Sequence, residues 1–156
     1  MNPLKILDLL KIDYVLPNIE AEDQKGALGE MAAKAAEDLE IDADDLVKAL
    51  LDREKTRPTA LERTGVAIPH ARLPDISRFV VVFAASRHGI DFRAEDGRPS
   101  YLFFLIVGPE EAPGDYLRLL ARIARLCHDR EFRQRLSDAT TAREILDIIT
   151  EQDGKY

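Results

Sequence analysis

The sequence predicts an α+β fold in three layers, a mixed β-sheet with helices on both of its faces. Three observations carry this expectation. Apolar residues recur at helical spacing at both ends of the chain, β-branched and aromatic runs fill its middle, and turn-forming dipeptides separate the two kinds of segment. Continuous apolar strands need cover on both faces, which the flanking helices can supply.

The elements follow in order. Ile12 to Leu16 reads as a strand that stops at Pro17. Leu28, Met31, Ala32, Ala35 and Leu39 lie on one helical face, which predicts an amphipathic helix over Gln24 to Leu39 with Gly26 and Gly29 as its weak points. Asp42 reads as the N-cap of a second helix, with Asp45 three residues on and Leu46, Val47, Leu50 and Leu51 behind it, ending near Glu54. Arg57 to Pro69 carries two prolines and no clear period, so it reads as loop, with a short strand leading to His70. Phe79 to Ala85 is a strand, followed by a turn at Arg87 to Gly89, a second turn at Asp96-Gly97 and a buried strand over Tyr101 to Val107. Gly108-Pro109 and Pro113-Gly114 bracket a loop. Leu117, Leu120, Ile123, Ala124 and Cys127 then share a helical face, with Arg118, Arg122 and Arg125 on another. Thr141 and Glu144 form a capping-box pattern ahead of Ile145, Leu146, Ile148 and Ile149.

A chain of 156 residues with 46% hydrophobic composition can bury one sizeable core, so one domain over residues 1–156 is expected. No stretch approaches the roughly 18 to 20 apolar residues needed to cross a bilayer, and Met1 to Leu10 lacks the marks of a secretion signal, so no direct membrane insertion and a cytoplasmic location are expected. The single cysteine, Cys127, has no internal partner and reads as a core or helix-face residue. A net charge of -7 opposes binding to a phosphate backbone, so no nucleic-acid partner is expected. The charge is unevenly spread. Glu20 to Asp45 holds ten acids against Lys25 and Lys34, whereas Tyr116 to Arg135 holds six arginines against Asp129 and Glu131. This asymmetry suits either orientation of a protein partner or two solvated helix faces.

Phosphate-binding glycine loops of the P-loop and dinucleotide kinds are absent, as is a Gly-x-Ser-x-Gly elbow. His70, His88 and His128 make no metal-ligand spacing with each other or with Cys127, so neither a metal nor a cofactor is expected. His88, in a turn, and His128, near a helix end, read as structural. Position alone would give His70 the same reading. Pro69, however, restricts Ile68 to extended conformations and fixes its own φ, so Ala67-Ile68-Pro69 delivers the imidazole in a stiff direction. An imidazole is substantially neutral at cellular pH, and one nitrogen can attack while the other is held by a hydrogen bond.

The sequence around His70 adds a pattern. Arg53-Glu54-Lys55, Thr59 and Gly65-Val66-Ala67-Ile68-Pro69-His70-Ala71-Arg72 are followed by Gly89-Ile90-Asp91-Phe92, Asp96-Gly97-Arg98-Pro99, the apolar strand to Val107, and Tyr116-Leu117-Arg118-Leu119-Leu120-Ala121. In that order these blocks resemble the fructose/mannitol-type enzyme IIA domains of the bacterial phosphoenolpyruvate:sugar phosphotransferase system. The length is similar to the free-standing nitrogen-regulatory branch. The resemblance implies a phosphoryl carrier: a group accepted from HPr or a related carrier protein on His70, then passed to a cysteine of a IIB domain or read out as a regulatory signal. It implies Arg53 beside the phosphate, where a planar fork suits phosphate oxygens, and a hydroxyl from Thr59 in the same loop.

Two departures stand out. The family's second histidine, beside the phosphorylated one, is here Tyr116, which can donate one hydrogen bond to phosphate but does not become cationic. The family's glycine-rich Thr-Gly-x-Gly-x-Gly loop reads Thr59-Ala60-Leu61-Glu62-Arg63-Thr64-Gly65, one residue longer, and Glu62 brings a negative charge near an incoming phosphate. Two functions are therefore expected to compete. One is a competent phosphocarrier centred on His70. The other is a non-catalytic interaction module of the same fold, with weakened or lost transfer, that binds a regulatory partner through Arg118, Arg122 and Arg125.

Overall fold

Strand β5 (Val80–Ile90) and strand β6 (Ser100–Pro109) pair antiparallel, with Phe83 opposite Phe104, and form the centre of a six-stranded mixed sheet. The computed structural model describes residues 5–156. The expectation about the first ten residues falls partly on Met1 to Leu4, which lie outside the described residues. Strand β1 (Val15–Leu16) runs parallel to β5 on one side. On the other side β6 pairs in parallel with β3 (Val66–Ala67) and β4 (His70–Leu73), and β2 (Ala60–Leu61) pairs antiparallel with β3. The offset from β3 to β6 continues unchanged into β4: Ala67 lies opposite Phe103 and His70 opposite Ile106. Together they form one strand interrupted at Ile68-Pro69, where proline cannot supply a ladder N–H.

Alternation along the strands sends neighbouring side chains to opposite faces. Ala67, Val82, Phe103 and Leu105 pack under helices α1 (Gln24–Leu39) and α2 (Ala43–Thr56). Val66, Ile68, Phe83 and Ile106 pack under α3 (Pro113–Cys127), α4 (Arg130–Asp138) and α5 (Ala142–Asp153). The three-layer expectation therefore holds. Phe83 and Phe104 meet edge to face with centroids 5.0 Å apart. The helix starts are capped as expected: Asp42 accepts from the N–H of Asp45, and Thr141 from that of Glu144. Asp23 caps α1 in the same way. No helix of the described residues is long and apolar enough to cross a membrane.

Several boundaries differ from expectation. Ile12 to Tyr14 forms a 3-10 turn, and only Val15 and Leu16 pair as strand; the turn lets the Tyr14 hydroxyl donate to Asp38, which Arg78 also reaches. The turn expected at Arg87 to Gly89 is a bulge inside β5. Gly89 has φ of 79°, and a Cβ there would lie 2.8 Å from the Tyr101 ring, so only glycine fits. Pro109 ends β6, and Pro113 opens α3, where its missing N–H costs nothing. Helix α2 runs two residues past Glu54, and α4 has no counterpart among the expected elements.

Helix α3 is turned from the expected face. Tyr116, Leu119, Ile123, Leu126 and Cys127 are buried, whereas Leu117 is 62% exposed. Of the three arginines read as one surface, Arg122 is committed inward to the buried Asp153, and the Arg125 guanidinium lies 4.5 Å from the centre of the Tyr156 ring. Burial pushes the Cys127 thiol up to about 12, which leaves it a protonated core residue.

Candidate functional site

His70 is the first residue of β4, and its ring bends back so that Nδ1 lies 2.6 Å from the carbonyl oxygen of Ile68. A carbonyl only accepts, so the hydrogen sits on Nδ1 and the lone pair on Nε2. The strand explains why that carbonyl is free. Pro69 directs its own carbonyl to the N–H of Ile106 on β6, 2.9 Å away, so the backbone groups of Ile68 point away from β6: its N–H donates to the Thr59 carbonyl and its oxygen meets no strand, while its side chain stays in the core. His70 itself is only 6% exposed, at the junction of two clefts of about 350 and 470 Å³ that share Arg53, His70 and Leu120.

Burial lowers the His70 pKa below its ordinary 6.5. The charge of Arg53 pushes the same way, and the hydrogen bond to Ile68 works against both. The folded protein therefore favours the neutral ring, the form with a nucleophilic nitrogen. The sign for stability follows: this contribution is present above the ordinary imidazole value and is lost as pH falls through the lower folded value. In a ring-resolved NMR titration, His70 is expected to titrate below the ordinary imidazole value of 6.5 with its proton on Nδ1. A midpoint at or above 6.5 would contradict the buried neutral ring.

Arg53 comes from the last turn of α2, which packs beside β4, and it donates to the carbonyl of Arg57 at 3.0 Å. It lines both clefts with His70, and its charge is felt at His70 and at Tyr116. Thr59 lines the smaller cleft, but its hydroxyl donates to the carboxylate of Glu54, which also accepts the Thr59 N–H at 3.2 Å. Glu54 is itself buried, which raises its pKa against the pull of those two hydrogen bonds and Arg53. Thr59 and Glu54 thus clamp the loop entry, a pairing the sequence pattern did not single out. Beyond it, Arg63 takes φ of 66° and Gly65 φ of 71°, so the longer loop turns through a left-handed arginine tied to Asp96. Glu62 and Glu95 both line the cleft, and the side-chain hydrogen bond with Glu95, together with its charge, raises the Glu62 pKa.

Tyr116 stands edge-on to His70, with ring centroids 5.6 Å apart and an interplanar angle of 63°. Burial pushes its hydroxyl up to about 12, against Arg53 and Arg72, so it stays protonated. Arg72 was missed as a candidate. It lies two residues beyond His70 on the same face of β4, with its guanidinium 5.6 Å from the centre of the Tyr116 ring. Period-two alternation would point to it, but the sequence pattern assigns no element beyond His70, where β4 runs on to Leu73. Among the described residues, no three of His, Cys, Asp and Glu converge to hold a metal ion.

Comparison with known proteins places this mixed sheet with helices on both faces among the phosphotransferase IIA domains. Residues 8–152 match the family model for the phosphoenolpyruvate-dependent sugar phosphotransferase system, EIIA 2, and the chain belongs to that family. It is 39% identical to a nitrogen regulatory protein of Bradyrhizobium diazoefficiens, over 94% of this chain and 95% of that protein. It is 31% identical to the fructose-specific EIIA component of Haloferax volcanii, over 93% of this chain and 98% of that one. The crystal structure of nitrogen regulatory protein IIA-Ntr from Neisseria meningitidis superposes with a TM-score of 0.87 at 28% identity, covering 92% of this chain and 98% of that chain. The Escherichia coli complex of mannitol enzyme IIA with phosphorylated enzyme IIB shares the fold, with a TM-score of 0.77 at 21% identity, over 92% of this chain and 99% of that one. The chain is therefore a phosphocarrier or regulatory component of the phosphotransferase type.

Proposed function

We propose that the chain, acting as one IIA unit in the cytoplasm, accepts a phosphoryl group from HPr or a related carrier on Nε2 of His70. It then passes the group to a IIB cysteine or signals through its phosphorylation state. The observation that carries this reading is the Nδ1 anchor of His70 on the Ile68 carbonyl, which leaves Nε2 as the ring's free nitrogen beside Arg53. In the transfer, the Nε2 lone pair attacks phosphorus, the P–N bond to the donor's histidine breaks, and that imidazole leaves neutral with the bond's electron pair. The new phosphoimidazole keeps its Nδ1 hydrogen on Ile68 and carries the positive charge, so no proton need move. Phosphoryl transfer has a loose transition state, and the protein's task is to position the group and stabilise its charge. Arg53 would supply that charge, and Thr59 acts through its clamp on Glu54 by fixing the loop.

The relatives named nitrogen regulatory proteins support the signalling branch, and the mannitol IIA complex with phosphorylated IIB supports a IIB partner. The interaction-only alternative drew on Arg118, Arg122 and Arg125, of which Arg122 is already engaged with Asp153. Incubation with phosphoenolpyruvate, enzyme I and HPr, or the nitrogen-branch counterparts, is expected to give an acid-labile mass gain mapped to His70. No gain with cognate donors would favour the interaction-only module.

A further inference from the structure

We propose that Arg72 is a second phosphate-binding guanidinium of this site, held at the cleft by the aromatic ring of Tyr116. The inference rests on the phosphocarrier reading of His70 and adds to it a residue and a role for the tyrosine. Its basis is geometry. His70 and Arg72 project from the same face of β4 because they are two residues apart in a strand whose register with β6 is regular from His70 to Leu73. Tyr116, at the start of α3, packs against that face and touches both: its ring meets the imidazole edge-on and lies 5.6 Å from the Arg72 guanidinium. All three line the larger cleft.

Arg72 has no other engagement that accounts for its position. None of the ion pairs and none of the side-chain hydrogen bonds among the described residues involves it, although Glu110 lines the same cleft. A guanidinium over an aromatic face keeps all its N–H donors at the ring's edge free for an anion. Arg53 lines the cleft from α2 and Arg72 from β4, so a dianionic group on Nε2 would meet a cation on either side. An imidazolium in place of Tyr116 would supply charge directly. The tyrosine supplies it indirectly, by positioning an arginine. The role assigned to Tyr116 is therefore carried by its ring and not by its hydroxyl.

Potassium phosphoramidate tests this without a protein donor. Nε2 attacks phosphorus, the P–N bond breaks, and ammonia leaves with the electron pair and the protons it already carried. Incorporation followed by intact mass, together with the 31P shift of the product, is expected to separate the variants. Arg72→Ala should slow incorporation roughly ten- to hundredfold, the range for losing a charged hydrogen bond, and move the 31P resonance. Arg72→Lys should fall between, because an ammonium is a point charge without the fork. Tyr116→Phe should lose clearly less than Tyr116→Leu, because the phenyl face still attracts the guanidinium. Tyr116→Leu should track Arg72→Ala. An Arg72→Ala protein with the parental rate and 31P shift would overturn the inference and leave the carrier reading intact. A Tyr116→Phe protein as slow as Tyr116→Leu would overturn the ring's role in favour of the hydroxyl. No incorporation into His70 of the parent protein would remove both the inference and the reading beneath it.

Discussion

Replacing His70 with alanine is expected to reduce phosphoryl incorporation from a protein donor to background. The reason is positional. His88 sits in the bulge of β5 and His128 caps the end of α3, both exposed and neither lining the clefts around Arg53. They share the imidazole chemistry, but among the described residues neither ring has a backbone anchor like that of His70, and neither shares a cleft with Arg53. His70→Asn makes the test cleaner, because its side-chain amide can still donate to the Ile68 carbonyl while offering no ring nitrogen. Equal loss in both variants, with an unchanged unfolding midpoint for the asparagine protein, would assign the loss to the nucleophile. Full incorporation in either variant would move the site elsewhere.

The second large effect is on stability. Asp153, fully buried, accepts from Arg122 Nε at 2.6 Å and from the Leu7 N–H at 3.2 Å, while its backbone carbonyl accepts from Arg122 at 2.7 Å and Lys5 at 3.3 Å. Arg122 is itself only 13% exposed in its side chain. Asp153→Ala strands a buried guanidinium and a backbone N–H together, and breaking one side of such a pair costs about 3–5 kcal/mol. Against a typical total of about 5–15 kcal/mol this is large, and it should appear as a clear drop in the urea midpoint. Arg122→Met combined with Asp153→Leu should recover much of the loss, since apolar replacement of both charges removes the stranded one. A single-variant loss below about 1 kcal/mol would mean that the pair behaves like a solvated surface bridge.

What could be read from the sequence follows from how local its cause is. Helix α1 was legible to the residue, because its apolar period and its ends lie within the helix itself. The starts of α2 and α5 were legible from Asp42 and Thr141 for the same reason. Strands β2 and β3 are two residues each and carry no period; they exist because β6 and the returning loop supply partners. In α3 two apolar stripes compete, one through Leu117 and Leu120 and one through Tyr116, Leu119 and Ile123, and packing against the sheet chose the second. Arg122 looked like a surface charge because its partner lies thirty-one residues away. At the site, His70 and Arg53 stood out by resemblance. Glu54 and Arg72 did not, since their roles depend on a loop return and on a strand that tertiary pairing creates.

The interruption between β3 and β4 has a further consequence. Many histidines owe their tautomer to a neighbouring carboxylate or amide, and a single codon change can abolish that support. Here the acceptor belongs to the main chain, and every amino acid at position 68 carries the same oxygen. Substitutions at Ile68 should therefore alter packing yet spare the choice of which nitrogen is free, a form of mutational insulation that resides in the path of the backbone.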